Sequence, residues 1–292
     1  MNKGKVPVEA SADDVKAIEE WLKTQPHLPQ HMDDMLIRRF LFCCEHSLRL
    51  TKTVIDKYFT LRFKAPEIFS NRDPLSPEIQ QVFTVTDMIP LPKTTEENYK
   101  VFIYRLIDSD ADNYYFNNNV KTFFMLADTR IISEFPLTDG EVPIFDVAGT
   151  TLRHITKMVL STMRKYMAYI QEAHPVRLRQ VHVINCFPIV DKLFSIVKPM
   201  INPEVVKYIH FHVPGSETLY KFIPKDLLPE EYGGKAGPIN VIKQDWKKKM
   251  EDMREYFIDE EKWKVNEALR PNSSKSATTP INEGSFRSLS ID

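Results

Sequence analysis

The side chains best suited to chemistry are a set of histidines and one carboxylate. His154 and His174 fall on or beside a helical stretch, His182 in one strand-like run, and His210 and His212 in another. Residues two apart share a strand face. His210 and His212, with His182 opposite, therefore have the outline of a metal site. A metal would need a further Cys or carboxylate at ligand spacing. None accompanies them, so histidines that are packed and hydrogen-bonded, or that face solvent, are expected, and no metal site is assigned. Asp146 lies inside the run Val142–Ala148 and is the candidate general base. A structural acceptor for backbone N–H groups or an Arg is the favoured role. GxGxxG, GxxxxGK[ST], GxSxG and HExxH are all missing. Eight glycines in 292 residues are few for a phosphate-cradling loop. No catalytic residue, enzymatic activity or cofactor is assigned.

Composition narrows the classes further. Lys and Arg number 39 against 40 Asp and Glu, for a net charge of −1. A general nucleic-acid binder needs a large cationic surface and is excluded, although a local basic patch is not. The mean hydropathy is −0.33, and no apolar run reaches the roughly 18 residues of a membrane-spanning helix. Cys43, Cys44 and Cys186 are too few, and wrongly spaced, for a disulfide framework or a CxxC site. Free thiols suit a reducing compartment, and no apolar secretory core follows Met1. A cytoplasmic monomer is expected.

Periodicity predicts an α/β protein. Residues 1–75 read as a small all-helical unit, with Val15, Ile18 and Leu22 on one helix face, Leu36 and Phe40 on a second, and Val54, Tyr58 and Leu61 on a third. Asn71–Ile79 reads as a linker. Residues 76–240 form the second unit. Its strands are expected at Lys100–Arg105, Val142–Ala148, Gln180–Cys186 and Tyr208–Val213. Helical stretches at Val120–Glu134, Leu152–Ala173 and Ile189–Met200 alternate with them, which implies βαβ crossovers and a mainly parallel sheet. A charged helix follows within 241–270. Residues 271–292 are rich in Ser and Thr, poor in large apolar groups, and read as a disordered tail.

Asn185–Tyr208 is the most informative segment. Phe187, Ile189, Val190, Leu193, Phe194, Ile196, Val197, Met200 and Ile201 nearly encircle a helix. Such a helix is buried on both faces, or exchanges one protein face for lipid. It is either a core helix or a movable lid over an apolar cavity. Pro188, Pro199 and Pro203 segment it and favour the lid. The preceding helical stretch carries Met158, Met163, Tyr166, Met167, Tyr169 and Ile170. The stretch before that carries Phe123, Phe124 and Met125. This soft apolar surface suits a hydrophobic ligand.

In order, KVFIYRL, PIFDVAG, QVHVINCFPIVDKLFSIVKPM, YIHFHV and LLPEEYGG, preceded by RRFLFCC and YFTLRFKAPEIF, resemble the CRAL-TRIO lipid-transfer family, nearest its tocopherol- and retinaldehyde-carrying members. The resemblance spans about residues 10–245. It implies a helical N-terminal bundle before an α/β sandwich, whose sheet floors an apolar pocket closed by a hinged helix. It implies a carrier that moves one lipophilic molecule, such as a tocopherol, retinoid or carotenoid, between membranes without covalent chemistry. The pocket wall so implied comprises Phe123, Ala127, Phe145, Tyr166, Tyr169, Ile170 and Val181. The lid supplies Ile189, Leu193, Ile196 and Val197, with Phe187 and Ile201 on its membrane-facing side. A phosphoinositide headgroup would meet Arg62, Arg177 and Arg179, with support from Lys198 and Lys207. Two other basic positions of that cleft are Glu204 and Tyr208 here. Phe123 and Ala127 replace small hydroxyl residues of vitamin E carriers, and Asp108 replaces a His, so the pocket is expected to be drier. A scaffold that binds phosphoinositide membranes or a protein partner is the alternative.

Overall fold

A computed structural model describes residues 10–271. The expectation of a disordered tail falls almost wholly outside them. The chain opens with three capped helices, α1 (Ala12–Lys23), α2 (Asp34–Cys43) and α3 (Leu48–Phe63). The side chains of Ser11, Asp33 and Ser47 accept from N–H groups of the first turns that have no helical partner. Val15, Ile18, Leu22, Leu36, Phe40, Val54 and Tyr58 turn inward as the periodicity predicts, Leu61 is only partly buried against them, and Ile55 joins the core beside them.

The short α4 (Pro66–Phe69) and α5 (Pro77–Val85) follow. Part of the predicted linker is thus helical: Pro77 stands at the first helical position, where its missing N–H is harmless. Next come β1 (Thr86–Thr94), β2 (Tyr99–Leu106), α6 (Phe116–Ser133), β3 (Gly140–Asp146), α7 (Leu152–Thr156), α8 (Leu160–Glu172) and β4 (Val181–Ile184). After them come α9 (Ile189–Val197), α10 (Pro203–Val206), β5 (Ile209–Phe211), α11 (Ile239–Asp252) and α12 (Arg254–Ile258). The sheet order is β1-β2-β3-β4-β5. Strands β2 to β5 run parallel, and β1 is antiparallel to β2.

Two expectations are corrected. Strand β1 was not anticipated, because Pro90 and Pro92 interrupt its pattern; an edge strand tolerates residues that cannot donate on its open side. Leu152–Ala173 is two helices, since α7 ends at Lys157 and the chain re-enters helix after Val159.

One apolar cluster runs from the bundle through Phe124, Ala127 and Ile131 of α6 to Tyr169 of α8. A second joins α5, the sheet and α11, with Met125 and Leu126 facing it. Helix α6 is therefore buried nearly all round. Trp263 and Val265, beyond α12, pack back onto the first cluster. Arg270 closes that return with two contacts to the Asp56 carboxylate at 2.8 and 3.0 Å.

Candidate functional site

The two faces of the parallel sheet differ in kind. Register pairs Tyr104 with Phe145, Phe145 with Val183, and Val183 with Phe211. In the next row Val181 pairs with Ile209. Alternation puts these residues on one face. Val101, Ile103, Val142, Ile144 and His182 lie on the other and are sealed. Tyr104, Pro143, Phe145, Val181, Val183 and Ile209 are only half-buried, and Phe211 is exposed. A close-packed core would have closed over such apolar groups.

Helices α6, α8 and α9 border this face. Phe123 of α6 meets Phe102 edge-on, with ring centroids 5.3 Å apart, and Tyr166 of α8 at 5.9 Å. Phe194 of α9 meets Phe211 at 5.0 Å. Phe123, Tyr166, Ile170, Ile189, Leu193, Ile196, Val197 and Ile201 all keep accessible surface, and Phe187 is 49% exposed. Among the described residues, no hydrogen bond or ion pair joins the side chains of Ile189–Val197 to another element; the Ser195 hydroxyl bonds within its own helix. Prolines segment the α9 region as anticipated. A 3-10 turn through Pro199 follows α9, and Asn202 caps α10 ahead of Pro203. The Tyr166 hydroxyl makes no hydrogen bond among the described residues, and burial raises its pKa, so it stays protonated.

Two residues assigned from the resemblance sit elsewhere. Arg62 is 2% exposed, and its guanidinium forks onto Asp128 at 2.5 and 2.9 Å. Its Nε donates to the Tyr169 hydroxyl at 2.8 Å. Arg72 reaches the same carboxylate at 2.6 Å. Arg62 is thus a clamp between the bundle and α6, not a headgroup ligand. Tyr169 is fully buried in that seam and leaves the list of cavity residues. Ala127 is nearly sealed in the same cluster. The sequence signal for this clamp was Asp128, a lone carboxylate in the apolar run FFMLADTRII.

The remaining basic candidates lie at the amino ends of the strands. Arg177 donates to the Phe42 carbonyl and stacks on the Phe42 ring at 3.9 Å. Arg179 donates to the Asp139 carbonyl at 2.8 Å. Val181 donates its N–H to the Tyr208 carbonyl at 2.9 Å. That bond brings Arg179 and Lys207 to one edge. Lys207 is exposed and paired with Glu204 at 2.9 Å; Lys198 is exposed beside Phe194.

At the carboxyl ends, Asp146 has the structural role favoured for it. It accepts from the Ala148 N–H at 3.0 Å, the Asn185 amide at 2.8 Å and the Tyr232 hydroxyl at 2.8 Å. Its side-chain partners are Asn185 and Tyr232, not an Arg. Burial and the neighbouring Asp146 raise the Tyr232 pKa, which keeps the donor protonated. This node joins the IFDVAG, VHVIN and LPEEYGG segments. In the last, Gly233 has φ +73°, and a Cβ on Gly234 would stand 1.9 Å from the Leu228 carbonyl oxygen. Gly234→Ala is expected to cost about 2–3 kcal/mol, because rigid backbone must move. Urea unfolding checks this, with an unchanged midpoint as the contrary result.

Two concavities with mixed polar and apolar linings lie away from this face. One of 480 Å³ is lined by Arg72, Lys121 and their neighbours, and one of 210 Å³ by Asn185, His212 and Tyr232 among others. None of the thirteen apolar residues assigned from the resemblance lines either of them. No helix of the described residues is long and apolar enough to cross a membrane.

Two family models match the chain. A model of the CRAL/TRIO domain matches residues 85–234, and one of the Pinta-like UBA domain matches residues 8–79. The chain is 25% identical over 248 residues to alpha-tocopherol transfer protein-like of Mus musculus, covering 85% of this chain and 71% of that one. It is 22% identical over 271 residues to Clavesin-2 of Homo sapiens, covering 90% and 82%. The crystal structure of Sfh5 aligns at a TM-score of 0.49 and 13% identity, over 81% of this chain and 93% of that one. With over half of its residues matched by that first model, the chain belongs to the CRAL/TRIO domain family.

Proposed function

We propose that the protein is a non-enzymatic carrier that holds one lipophilic molecule between the half-buried sheet face and α9, and exchanges it with membranes. The observation that carries this reading is the contrast between the two sheet faces. On the sealed face Val101, Ile103, Val142 and Ile144 are core, whereas the other keeps bulky apolar side chains accessible beneath a helix whose own side chains make no polar tie, the turn after it being held by Gln171. Covering roughly 300–400 Å² of ligand at about 25 cal/mol per Å² gives about 7–10 kcal/mol. Ordering costs lower this toward reversible binding. The Tyr166 hydroxyl offers one polar contact, which fits a tocopherol, a retinoid, a carotenoid or another isoprenoid with a single oxygen function. Opening α9 would present Phe187, already exposed, and Phe194 and Ile201 to the bilayer interface. The working place of such a carrier is the cytosol, with transient membrane contact and no second subunit needed.

Native mass spectrometry of gently purified full-length protein tests this. One apolar adduct per chain is the expected result. An empty protein that ignores vesicles would favour a scaffold role instead. The amino-edge cations Arg177, Arg179, Lys198 and Lys207, without Arg62, are the proposed contacts for an anionic headgroup. Arg177→Glu with Arg179→Glu should weaken binding to vesicles containing phosphatidylinositol bisphosphate at least tenfold in co-sedimentation. Unchanged binding would leave both residues as plain surface.

A further inference from the structure

On the sealed side of the sheet, the histidines weighed above for a metal site form a hydrogen-bonded relay instead. The Nε2 of His182 lies 3.1 Å from Gln180 Oε1, and its Nδ1 lies 2.9 Å from His212 Nε2. The Nδ1 of His212 lies 2.7 Å from Thr218 Oγ1, which also touches the Ser216 hydroxyl at 2.7 Å. With Gln180 presenting its oxygen, His182 must donate from Nε2. Its Nδ1 is then a lone pair that accepts from His212 Nε2–H. The Nδ1 of His212 in turn accepts from the Thr218 hydroxyl. Each ring carries one proton, and the relay works only while His182 is neutral; a second proton on His212 would instead turn the Thr218 hydroxyl from donor to acceptor. A second proton on His182 would set N–H against N–H.

This relay sits where the fold is thinnest. Strand β5 is three residues long, lies at the sheet edge, and pairs only with β4. The α9 segment is carried between β4 and β5. His210 stacks on His182 with centroids 5.1 Å apart, and Phe222 covers both rings at 5.1 and 4.5 Å. The groups facing the relay are Ile144 from β3, Gln180 beside β4, His210 from β5, and Ser216, Thr218 and Phe222 from the turn beyond. The charges felt by His182 are those of His212 and His210, and by His212 that of His210. Among the described residues, no carboxylate forms an ion pair with any of the three rings that would compensate an added proton.

We propose that His182, His210 and His212 form a proton-operated latch that pins β5 and the α9 segment at neutral pH and lets them loosen in acid. Burial pushes His182 down to about 3, with the neighbouring imidazoles adding to it, and burial also lowers His212. The opened state returns His182 and His212 to about 6.5. A depressed folded value means that the closed state is fully favoured above about 6.5 and loses ground as pH falls from there toward 3. Between pH 7.5 and 5.0 the proton excluded from His182 shifts the balance toward opening by about 30-fold. The effect on cargo rests on the carrier reading, whereas the loosening of β5 does not.

Hydrogen exchange on the full chain at pH 7.5 and 5.0, corrected for intrinsic rates, tests the latch. Peptides spanning residues 181–222 should lose at least tenfold protection at pH 5.0, while Thr86–Leu106 stays protected. His182→Asn with His212→Gln keeps the hydrogen-bonding positions without the titration and should abolish the change. Equal loosening in that variant, or none in the parent chain, would overturn the latch. If the variant does not fold, imidazole titration of the parent chain by NMR decides. Values near 6.5 for both His182 and His212 would overturn the latch; His182 remaining neutral until β5 opens would support it. An empty protein with a pH-sensitive edge would sink only the carrier reading.

Discussion

Leu193→Asp should leave the protein folded and strip it of its adduct. Leu193 is half-buried on α9, whose side chains make no polar tie to the rest of the described structure. A carboxylate there costs nothing while α9 stands open to water, but several kcal/mol once an apolar guest is enclosed. Ligand retention in native mass spectrometry should therefore fall at least a hundredfold. The unfolding midpoint should move by no more than a few degrees. If the variant collapses instead, Leu193 belongs to a core, and the segment between β4 and β5 is not a roof.

Asp128→Asn acts at the opposite extreme. Asp128 neutralises Arg62 and Arg72, and all three are buried in the seam between the bundle and α6. Asparagine keeps the volume and removes the charge, so two guanidiniums remain without a counterion. Breaking a buried pair from one side costs about 3–5 kcal/mol, or about 10 °C in midpoint for a chain of this size. The two arginines hold the Asp128 carboxyl below its ordinary value. The clamp's contribution is thus complete well above the ordinary carboxyl value of about 4 and is lost as pH falls from there through the depressed value. The variant's deficit should be constant between pH 8 and 5 by differential scanning calorimetry. A deficit under about 1 kcal/mol would show the clamp to be dispensable.

The sequence was legible where one physical demand dominates. Strands β2 to β5 stand out because buried parallel strands need β-branched and aromatic runs such as VFIY and VHVI. The α9 segment stands out because its apolar residues nearly encircle it, interrupted only by Asp191, Lys192 and Ser195. Strand β1 escaped because its prolines are admissible only at an edge, and edge position is a property of the finished sheet. The break between α7 and α8 left no Pro or Gly to mark it. Arg62 and Tyr169 carry motif positions that fit a headgroup or a cavity equally well. Only the meeting of α3, α6 and α8 commits them to Asp128. Asp146, Asn185 and Tyr232 were visible as co-occurring motifs, but that they converge on one carboxylate is a three-dimensional fact.

The return of Trp263, Val265 and Arg270 onto the first helices bears on how the chain is made. Asp56 waits for a partner more than two hundred positions downstream, so the seam around Arg62 and Arg72 stays uncovered throughout most of synthesis. The bundle can gather its own helices as they leave the ribosome, yet its final attachment must come last. A nascent protein halted before Trp263 would leave Arg62 and Arg72 paired with Asp128 but without the indole that covers them at 4.7 and 4.6 Å.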